Sequence, residues 1–152
     1  MAEIRLTNGR IIGDYQNPYV VAEVNSSHNG DINVAKQMVD AAFDAGCNCV
    51  KFQSWSVESL YSTSYYKENP ISKRIVKKFA LSPQELKDLA TYCREKRLDF
   101  SSTPYSREEV DFLVHDCNAP FVKVASMDLN NYVYLKYIAQ KGIPIVLSTG
   151  MS

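Results

Sequence analysis

The sequence predicts an α/β fold, namely a TIM-type (β/α)8 barrel of which this chain carries about the first five strands. Short apolar segments alternate with segments of helical periodicity at a repeat of roughly 25–30 residues, which requires parallel strands and crossover helices. A doubly wound five-stranded sheet also fits 152 residues, but no glycine-rich fingerprint follows the first core strand. Because an eight-fold barrel needs about 250 residues, residues 1–152 are expected to be the N-terminal part of a longer barrel domain.

The N-terminal segment, residues 1–13, predicts a short β-hairpin. Two alternating segments flank Asn8-Gly9, a dipeptide typical of tight hairpin turns in which both central residues have positive φ. We therefore expect antiparallel pairing across Asn8-Gly9, ahead of the barrel strands.

Five core strands are predicted from compact apolar runs that are bounded by turn residues. They cover Tyr19–Val24, Asn48–Phe52, Leu98–Ser101, Phe121–Ala125 and Ile143–Leu147. Strands that are apolar at consecutive positions are typical of a parallel sheet that helices cover.

Four helices are predicted from apolar residues at helical spacing, over about 34–45, 83–93, 107–115 and 131–140. The second begins with Ser82-Pro83-Gln84-Glu85, which combines an N-cap, a proline at the first helical position and an acidic first turn.

Residues 55–81 form a long excursion, that is, a long connection between the second strand and the next helix, and it is rich in Tyr, Ser and Lys. It follows a strand whose carboxyl end would face the mouth of a barrel.

The charge balance argues against polyanionic partners. Seventeen Lys and Arg balance 17 Asp and Glu, so the chain has no global field that attracts nucleic acid or anionic lipid. No apolar run approaches the ~20 residues that span a bilayer, and Glu3 and Arg5 do not suit a signal peptide. We therefore expect no nucleic acid, no membrane, a cytoplasmic location and reduced thiols at the four cysteines.

Polar side chains end each of the five predicted core strands, at the edge where parallel folds bind ligands. In chain order they are Glu23 and Asn25, Lys51 and Gln53, Ser101 and Thr103, Lys123 and Ser126, and Ser148 and Thr149. Glu23 stands within the apolar run of the first core strand, which predicts a buried carboxylate. A buried charge is costly unless it is paired or meets a ligand. Two inward lysines therefore predict a ligand with two negative groups, such as a phosphorylated carboxylic acid. For single residues a structural ion pair of Glu23 with Lys51 or Lys123 remains an equal alternative.

Two further features stay open at this level. His28 lies in the loop at residues 25–31, where contact with a substrate and stabilisation of the loop are equally plausible. Tyr61, Tyr65 and Tyr66 in the excursion suit a sugar-binding mouth, but packing of a long loop is the slightly preferred explanation.

Taken together, the motifs at these strand ends resemble the N-terminal half of the sialic acid synthase family, from about Tyr19 onward. They are Ala22-Glu23, His28-Asn29-Gly30-Asp31, Val50-Lys51-Phe52-Gln53, Ser102-Thr103-Pro104, Lys123-Val124-Ala125-Ser126-Met127-Asp128 and Leu147-Ser148-Thr149-Gly150-Met151. The family makes N-acetylneuraminic, pseudaminic and legionaminic acids. The resemblance implies a barrel followed by a small antifreeze-like C-terminal domain, in a homodimer.

The resemblance also implies a reaction: condensation of phosphoenolpyruvate with an N-acetylated amino sugar such as N-acetylmannosamine, or its 6-phosphate, to give a nonulosonic acid and phosphate. It further implies roles for residues. Lys51, Thr103 and Ser148 would hold the carboxylate side of phosphoenolpyruvate, and Lys123 and Ser126 its phosphate. Catalysis would rest on Glu23 and Lys51, with Glu23 in proton transfer or water positioning. Gln53 and Asp128 would contact the sugar, with His28 beside them.

The same resemblance places the metal ligands elsewhere. The Mn²⁺ or Mg²⁺ ion of the family would be held by two histidines beyond residue 152, so no metal ligand is expected in this chain. Without the remaining strands the barrel would stay open, and we expect residues 1–152 alone to be inactive.

Two other functions fit part of the pattern. Lys51 or Lys123 could be the amine nucleophile of a Schiff-base aldolase. The half barrel could also be a non-catalytic phosphate- or sugar-binding fragment.

Overall fold

Strands and helices alternate along residues 2–150, the part of the chain that this computed structural model describes. The strands are β1 (Glu3–Arg5), β2 (Ile11–Gly13), β3 (Val21–Asn25), β4 (Cys49–Ser54), β5 (Asp99–Pro104), β6 (Val122–Val124) and β7 (Ile145–Leu147). The helices are α1 (Ile32–Asp44), α2 (Val57–Leu60), α3 (Thr63–Glu68), α4 (Pro70–Phe79), α5 (Pro83–Glu95), α6 (Arg107–His115) and α7 (Tyr132–Ala139), with a 3₁₀ turn at Ser126–Asp128. Met151, the last residue of the final motif, lies outside the described range.

The parallel strands confirm the predicted α/β class. Strands β3, β4 and β5 form one parallel sheet in that order, and β6 pairs with β7 in a second. Strand β6 lies beside β5, and the Ser101 hydroxyl donates to the Phe121 carbonyl at 3.0 Å, which links the two sheets. The strand order therefore follows the chain order, as in a barrel wall.

Helices α1 and α5 cover the outer face of the first sheet. Val39 and Leu89 are fully buried against it, and the rings of Phe52 and Phe100 stack beneath them at 5.6 Å. Burial of each such side chain contributes about 1.5–3 kcal/mol. Helix α5 begins as predicted: Ser82 and Glu85 cap each other reciprocally, and Pro83 occupies the first turn.

The excursion after β4 contains three helices that the sequence did not predict. Ser56 and Ser62 cap α2 and α3, and Pro70 starts α4. The indole Nε1 of Trp55 donates to the Val76 carbonyl at 3.2 Å and ties α4 back to the end of β4. Helices of four and six residues are too short to show a sustained apolar period.

The N-terminal hairpin forms as predicted, but its turn differs. Leu6 N–H donates to the Arg10 carbonyl at 2.8 Å, and Gly9 N–H donates to the Leu6 carbonyl at 2.9 Å. This is a three-residue loop in which Gly9, at φ +86°, is left-handed whereas Asn8 is not. The prediction of positive φ at both turn residues was therefore wrong.

The reason lies in tertiary contacts of the hairpin. The Asn8 amide donates to Asp99 Oδ1 at 2.7 Å, and the Tyr19 hydroxyl donates to Asp99 Oδ2 at 2.6 Å. Leu6 is buried with Cys49 and Phe121 at the amino ends of their strands. The hairpin thus covers the floor of the sheet, opposite the carboxyl ends.

No helix within residues 2–150 combines the length and apolar character needed to cross a membrane. All four cysteines are free thiols. Burial raises the pKa of the Cys49, Cys93 and Cys117 thiols to about 12, so these thiols stay protonated near neutral pH.

Candidate functional site

Alternate residues of β3, β4 and β5 face the concave side of the sheet. The register pairs Glu23 with Lys51 and Lys51 with Ser101, so these three side chains share one level. Gln53 pairs with Thr103 one level nearer the carboxyl ends. The period of two therefore directs several of the predicted site residues to one surface.

Lys51 and Glu23 form an ion pair on this surface. Lys51 Nζ lies 2.7 Å from Glu23 Oε2, and it donates to Thr103 Oγ1 at 3.4 Å. The Lys51 side chain is 7% exposed, whereas that of Glu23 is 45% exposed because it faces the open concave side. The expectation of a buried carboxylate at Glu23 was wrong, although its pairing with Lys51 was among the predicted alternatives. A carboxylate in this position remains accessible to a ligand.

Lys123 on β6 faces the same interior. Its ammonium donates to Ser148 Oγ at 2.5 Å and to the Val124 carbonyl at 2.7 Å. Burial, and then the charge of Lys51, hold the pKa of Lys123 below the ordinary value of a lysine, with Glu23 acting in the opposite direction. Two ammonium groups therefore repel each other here, and a bound anion would relieve that repulsion.

Glu23, Lys51 and Lys123 border one cavity of about 270 Å³. The rest of its lining is mostly apolar and includes Leu6 and Ile12 of the hairpin, Phe121 and Val146. The two sets of polar contacts, around Lys51 and around Lys123, therefore belong to one concave site. An apolar wall strengthens the interaction of these charges with an anion because it excludes water.

Gln53 makes a contact that the sequence analysis did not anticipate. Its Nε2 donates to the Tyr105 hydroxyl at 2.7 Å, and the Tyr105 ring packs edge-on against Trp55 with centroids 6.2 Å apart. Asp128 is close enough to contribute to the raised pKa of Tyr105. Tyr105 follows β5 directly, so its position at a strand's carboxyl end is the sequence signal that could have identified it.

Ser126 and His28 lie outside these contacts. Ser126 is half-buried in the 3₁₀ turn after β6, and no side-chain hydrogen bond joins it to another described residue. His28 is only 1% exposed: its ring packs against Phe52 and its Nδ1 accepts from Gly30 N–H at 3.1 Å. Since Phe52 faces the helices, the geometry favours the loop-stabilising alternative for His28 over contact with a sugar.

No group of three His, Cys, Asp or Glu side chains within residues 2–150 is arranged to hold a metal ion. The described residues therefore do not form a metal site.

The fold and this site define the class: a parallel α/β wall of the barrel type whose concave side carries Lys51, Lys123 and Glu23. A sequence profile described as the NeuB family matches residues 38–152, well over half of the chain. The chain belongs to this family, which confirms the resemblance to sialic acid synthases.

Individual relatives agree with this membership. The chain is 34% identical over 157 residues to N-acetylneuraminate-9-phosphate synthase of Mus musculus, covering 98% of this chain and 44% of the mouse protein. It is 33% identical over 142 residues to N,N'-diacetyllegionaminic acid synthase of Campylobacter jejuni, covering 88% of this chain and 42% of the Campylobacter protein.

A solved structure is also similar. The crystal structure of N-acetylneuraminic acid (sialic acid) synthetase from Leptospira borgpetersenii in complex with citrate matches with a TM-score of 0.87 and 30% identity, over 99% of this chain and 50% of that one. The chain thus spans about half the length of the relatives it matches.

Proposed function

We propose that the protein condenses phosphoenolpyruvate with an N-acetylated amino sugar of the N-acetylmannosamine type, giving a nonulosonic acid and phosphate. The observation that carries the proposal is the convergence of Lys51 and Lys123 on one cavity that the carboxylate of Glu23 also borders. A ligand with a carboxylate at one end and a phosphate at the other matches two fixed cations. Family membership supports a sugar-acid synthase role.

The contacts suggest how the two anionic ends are divided. Lys51 and Thr103 would hold the carboxylate of phosphoenolpyruvate, since they already contact each other. Lys123 and Ser126 would hold the phosphate. Ser148 contacts Lys123 rather than Lys51, so in this geometry it serves the phosphate end as readily as the carboxylate end.

The reaction forms two σ bonds, from C3 of phosphoenolpyruvate to the aldehyde carbon and from C2 to the oxygen of water, and it breaks the bond from C2 to the phosphate oxygen. C3 of phosphoenolpyruvate attacks the aldehyde carbon of the open-chain sugar, whose oxygen takes up a proton, and a cationic centre remains at C2. Water then adds at C2, and phosphate departs by cleavage of its bond from C2 to oxygen. Glu23 would stabilise the cationic centre and orient the water, because it is the accessible carboxylate beside the lysines.

Other parts of the proposal involve regions beyond this chain. We infer that the parent domain closes as a (β/α)8 barrel and is followed by an antifreeze-like domain in a homodimer. A divalent ion, Mn²⁺ or Mg²⁺, would be held by residues beyond 152. A cytoplasmic location suits buried thiols that are unpaired.

The direct test is phosphate release by the full-length protein. With phosphoenolpyruvate, N-acetylmannosamine and Mn²⁺, we expect release of one phosphate for each nonulosonic acid formed. Pyruvate in place of phosphoenolpyruvate, or mannose in place of the N-acetylated sugar, is the control and should give no product. Absence of phosphate release with N-acetylmannosamine, its 6-phosphate and diacetylated amino sugars alike would refute the proposal.

A Schiff-base aldolase is the second candidate, and the lowered pKa of Lys123 favours it. Its discriminating result is a borohydride-trapped adduct of pyruvate on Lys123, seen as a mass increase on the peptide that contains it. The synthase proposal predicts no such adduct, since Lys123 is engaged by Ser148 and the Val124 carbonyl.

The pH dependence of phosphoenolpyruvate binding gives a further prediction. Because the pKa of Lys123 is lowered, its charge is lost at a lower pH than that of an exposed lysine. Affinity should therefore fall as pH rises through this lowered pKa. In the variant Lys123→Arg the side chain stays charged over this range, so the loss of phosphoenolpyruvate affinity should move to higher pH.

Calorimetric titration of phosphoenolpyruvate from about pH 7 to about pH 10 measures this effect. The exposed Lys136→Arg is the matched control and should leave the profile unchanged. An identical alkaline loss of affinity in Lys123→Arg and the wild type would contradict the role of Lys123.

A further inference from the structure

Tyr105 and Gln53 present unused hydrogen-bonding groups side by side at the mouth of the site. Gln53 Nε2 donates to the Tyr105 oxygen at 2.7 Å, so the phenolic proton remains to be donated elsewhere. Among the described residues, nothing accepts that proton and nothing donates to Gln53 Oε1. A donor and an acceptor therefore lie next to each other without partners of their own.

The surroundings hold this pair in place. Tyr105 N–H donates to Glu109 Oε2 at 2.6 Å, which fixes the backbone after β5. The ring is held edge-on by Trp55, and Gln53 is held by its pairing with Thr103 in the sheet. Burial raises the pKa of Tyr105 to about 12, so the hydroxyl keeps its proton throughout the neutral range. The pair is a rigid donor and acceptor rather than a mobile surface contact.

A sugar hydroxyl is the group that matches such a pair. It can accept a hydrogen bond from the Tyr105 hydroxyl while it donates its own proton to the Gln53 carbonyl oxygen. Lys51, which would bind phosphoenolpyruvate, lies one level below Gln53 in the sheet.

We propose that Tyr105 is a binding residue for the acceptor sugar, and that it recognises one hydroxyl of that sugar together with Gln53: the Tyr105 hydroxyl donates to the sugar oxygen, and Gln53 Oε1 accepts the sugar's proton. This assignment rests on the proposed function, since it names how the acceptor is recognised in the same site. Loss of one neutral hydrogen bond corresponds to roughly a 3–10-fold change in affinity.

The test is Tyr105→Phe in the full-length protein, which keeps the ring and its packing on Trp55. We expect KM for N-acetylmannosamine to rise about 3–10-fold, with KM for phosphoenolpyruvate and kcat unchanged. Tyr137→Phe is the matched control, since it removes a 2.6 Å hydrogen bond to Asp111 in the helical layer. Its kinetic constants should equal those of the wild type.

Deoxygenated acceptors separate recognition from packing. Among N-acetylmannosamine analogues that each lack one hydroxyl, one should show the same KM with the wild type and with Tyr105→Phe. Equal KM for the intact sugar in both proteins, or equal rises in both substrates' KM, would overturn the role of Tyr105 while the synthase function stood. If the wild type releases no phosphate with any acceptor, the function fails and the assignment fails with it.

Discussion

Replacing Lys51 with methionine is expected to lower kcat/KM of the full-length protein for phosphoenolpyruvate by about 30-fold or more. Truncating one member of a hydrogen-bonded charge pair away from water costs ~2–5 kcal/mol. Lys51 is such a member, because it is nearly buried and contacts both Glu23 and Thr103. The variant also leaves the Glu23 carboxylate without its partner at the point where an anion would bind.

A surface lysine provides the control for this prediction. Lys96 forms an ion pair of similar length with Asp40, at 2.8 Å, but both side chains are partly exposed and lie where the end of α5 meets α1. Lys96→Met should retain wild-type kinetics, since exposed pairs contribute ~0–1 kcal/mol. Steady-state assays of both variants, with circular dichroism to verify folding, make the comparison. A folded Lys51→Met protein with undiminished kcat/KM would show that Lys51 does not hold the substrate.

Gly30→Ala is expected to give the largest loss of stability, at least ~3 kcal/mol in the free energy of unfolding. Gly30 has φ +80°, and a Cβ there would lie 2.0 Å from the Lys78 carbonyl oxygen. That oxygen belongs to the backbone of α4, so the clash cannot be relieved by a side-chain rotation. The loop at residues 25–31 and α4 would have to separate.

Gly46→Ala measures the backbone part of this effect, so the difference between the two variants gives the steric part. Gly46 has nearly the same φ, +74°, but nothing lies within 4 Å of the point that an alanine Cβ would occupy. Only the left-handed backbone then opposes alanine, at a cost of ~1–2 kcal/mol. Urea unfolding followed by far-UV circular dichroism measures both variants. Equal losses for Gly30→Ala and Gly46→Ala would mean that the loop and α4 are not packed as described.

The core of the fold could be predicted because its signals are local. The apolar residues around Val50 indicate a strand that helices cover. The four residues from Ser82 to Glu85 contain the whole start signal of α5, namely the N-cap, the proline and the capping glutamate. The alternation within β4 likewise predicts that Lys51 and Gln53 share one face, and the strand register agrees. In each case one short segment determines the result.

Other features depend on partners that are distant in the sequence. The turn at Asn8 is altered because its side chain bonds Asp99, 91 residues away. His28 turns toward Phe52 through the wrapping of its loop, which no motif encodes. Tyr105 resembles any aromatic residue after Thr103-Pro104 until the fold brings Gln53 to its hydroxyl. Such contacts have no periodic signature in the sequence.

The hairpin contacts have a consequence for the order in which the chain folds during synthesis. The first strands leave the ribosome early, but the groups that anchor them come much later: Tyr19 bonds Asp99, and the Thr7 hydroxyl donates to the Ala119 carbonyl, 112 residues on. The nascent hairpin must therefore wait, undocked, until about residue 120 has emerged. Closing so long a loop is slow compared with forming a local helix, so docking of the hairpin should be among the last events in this segment's folding.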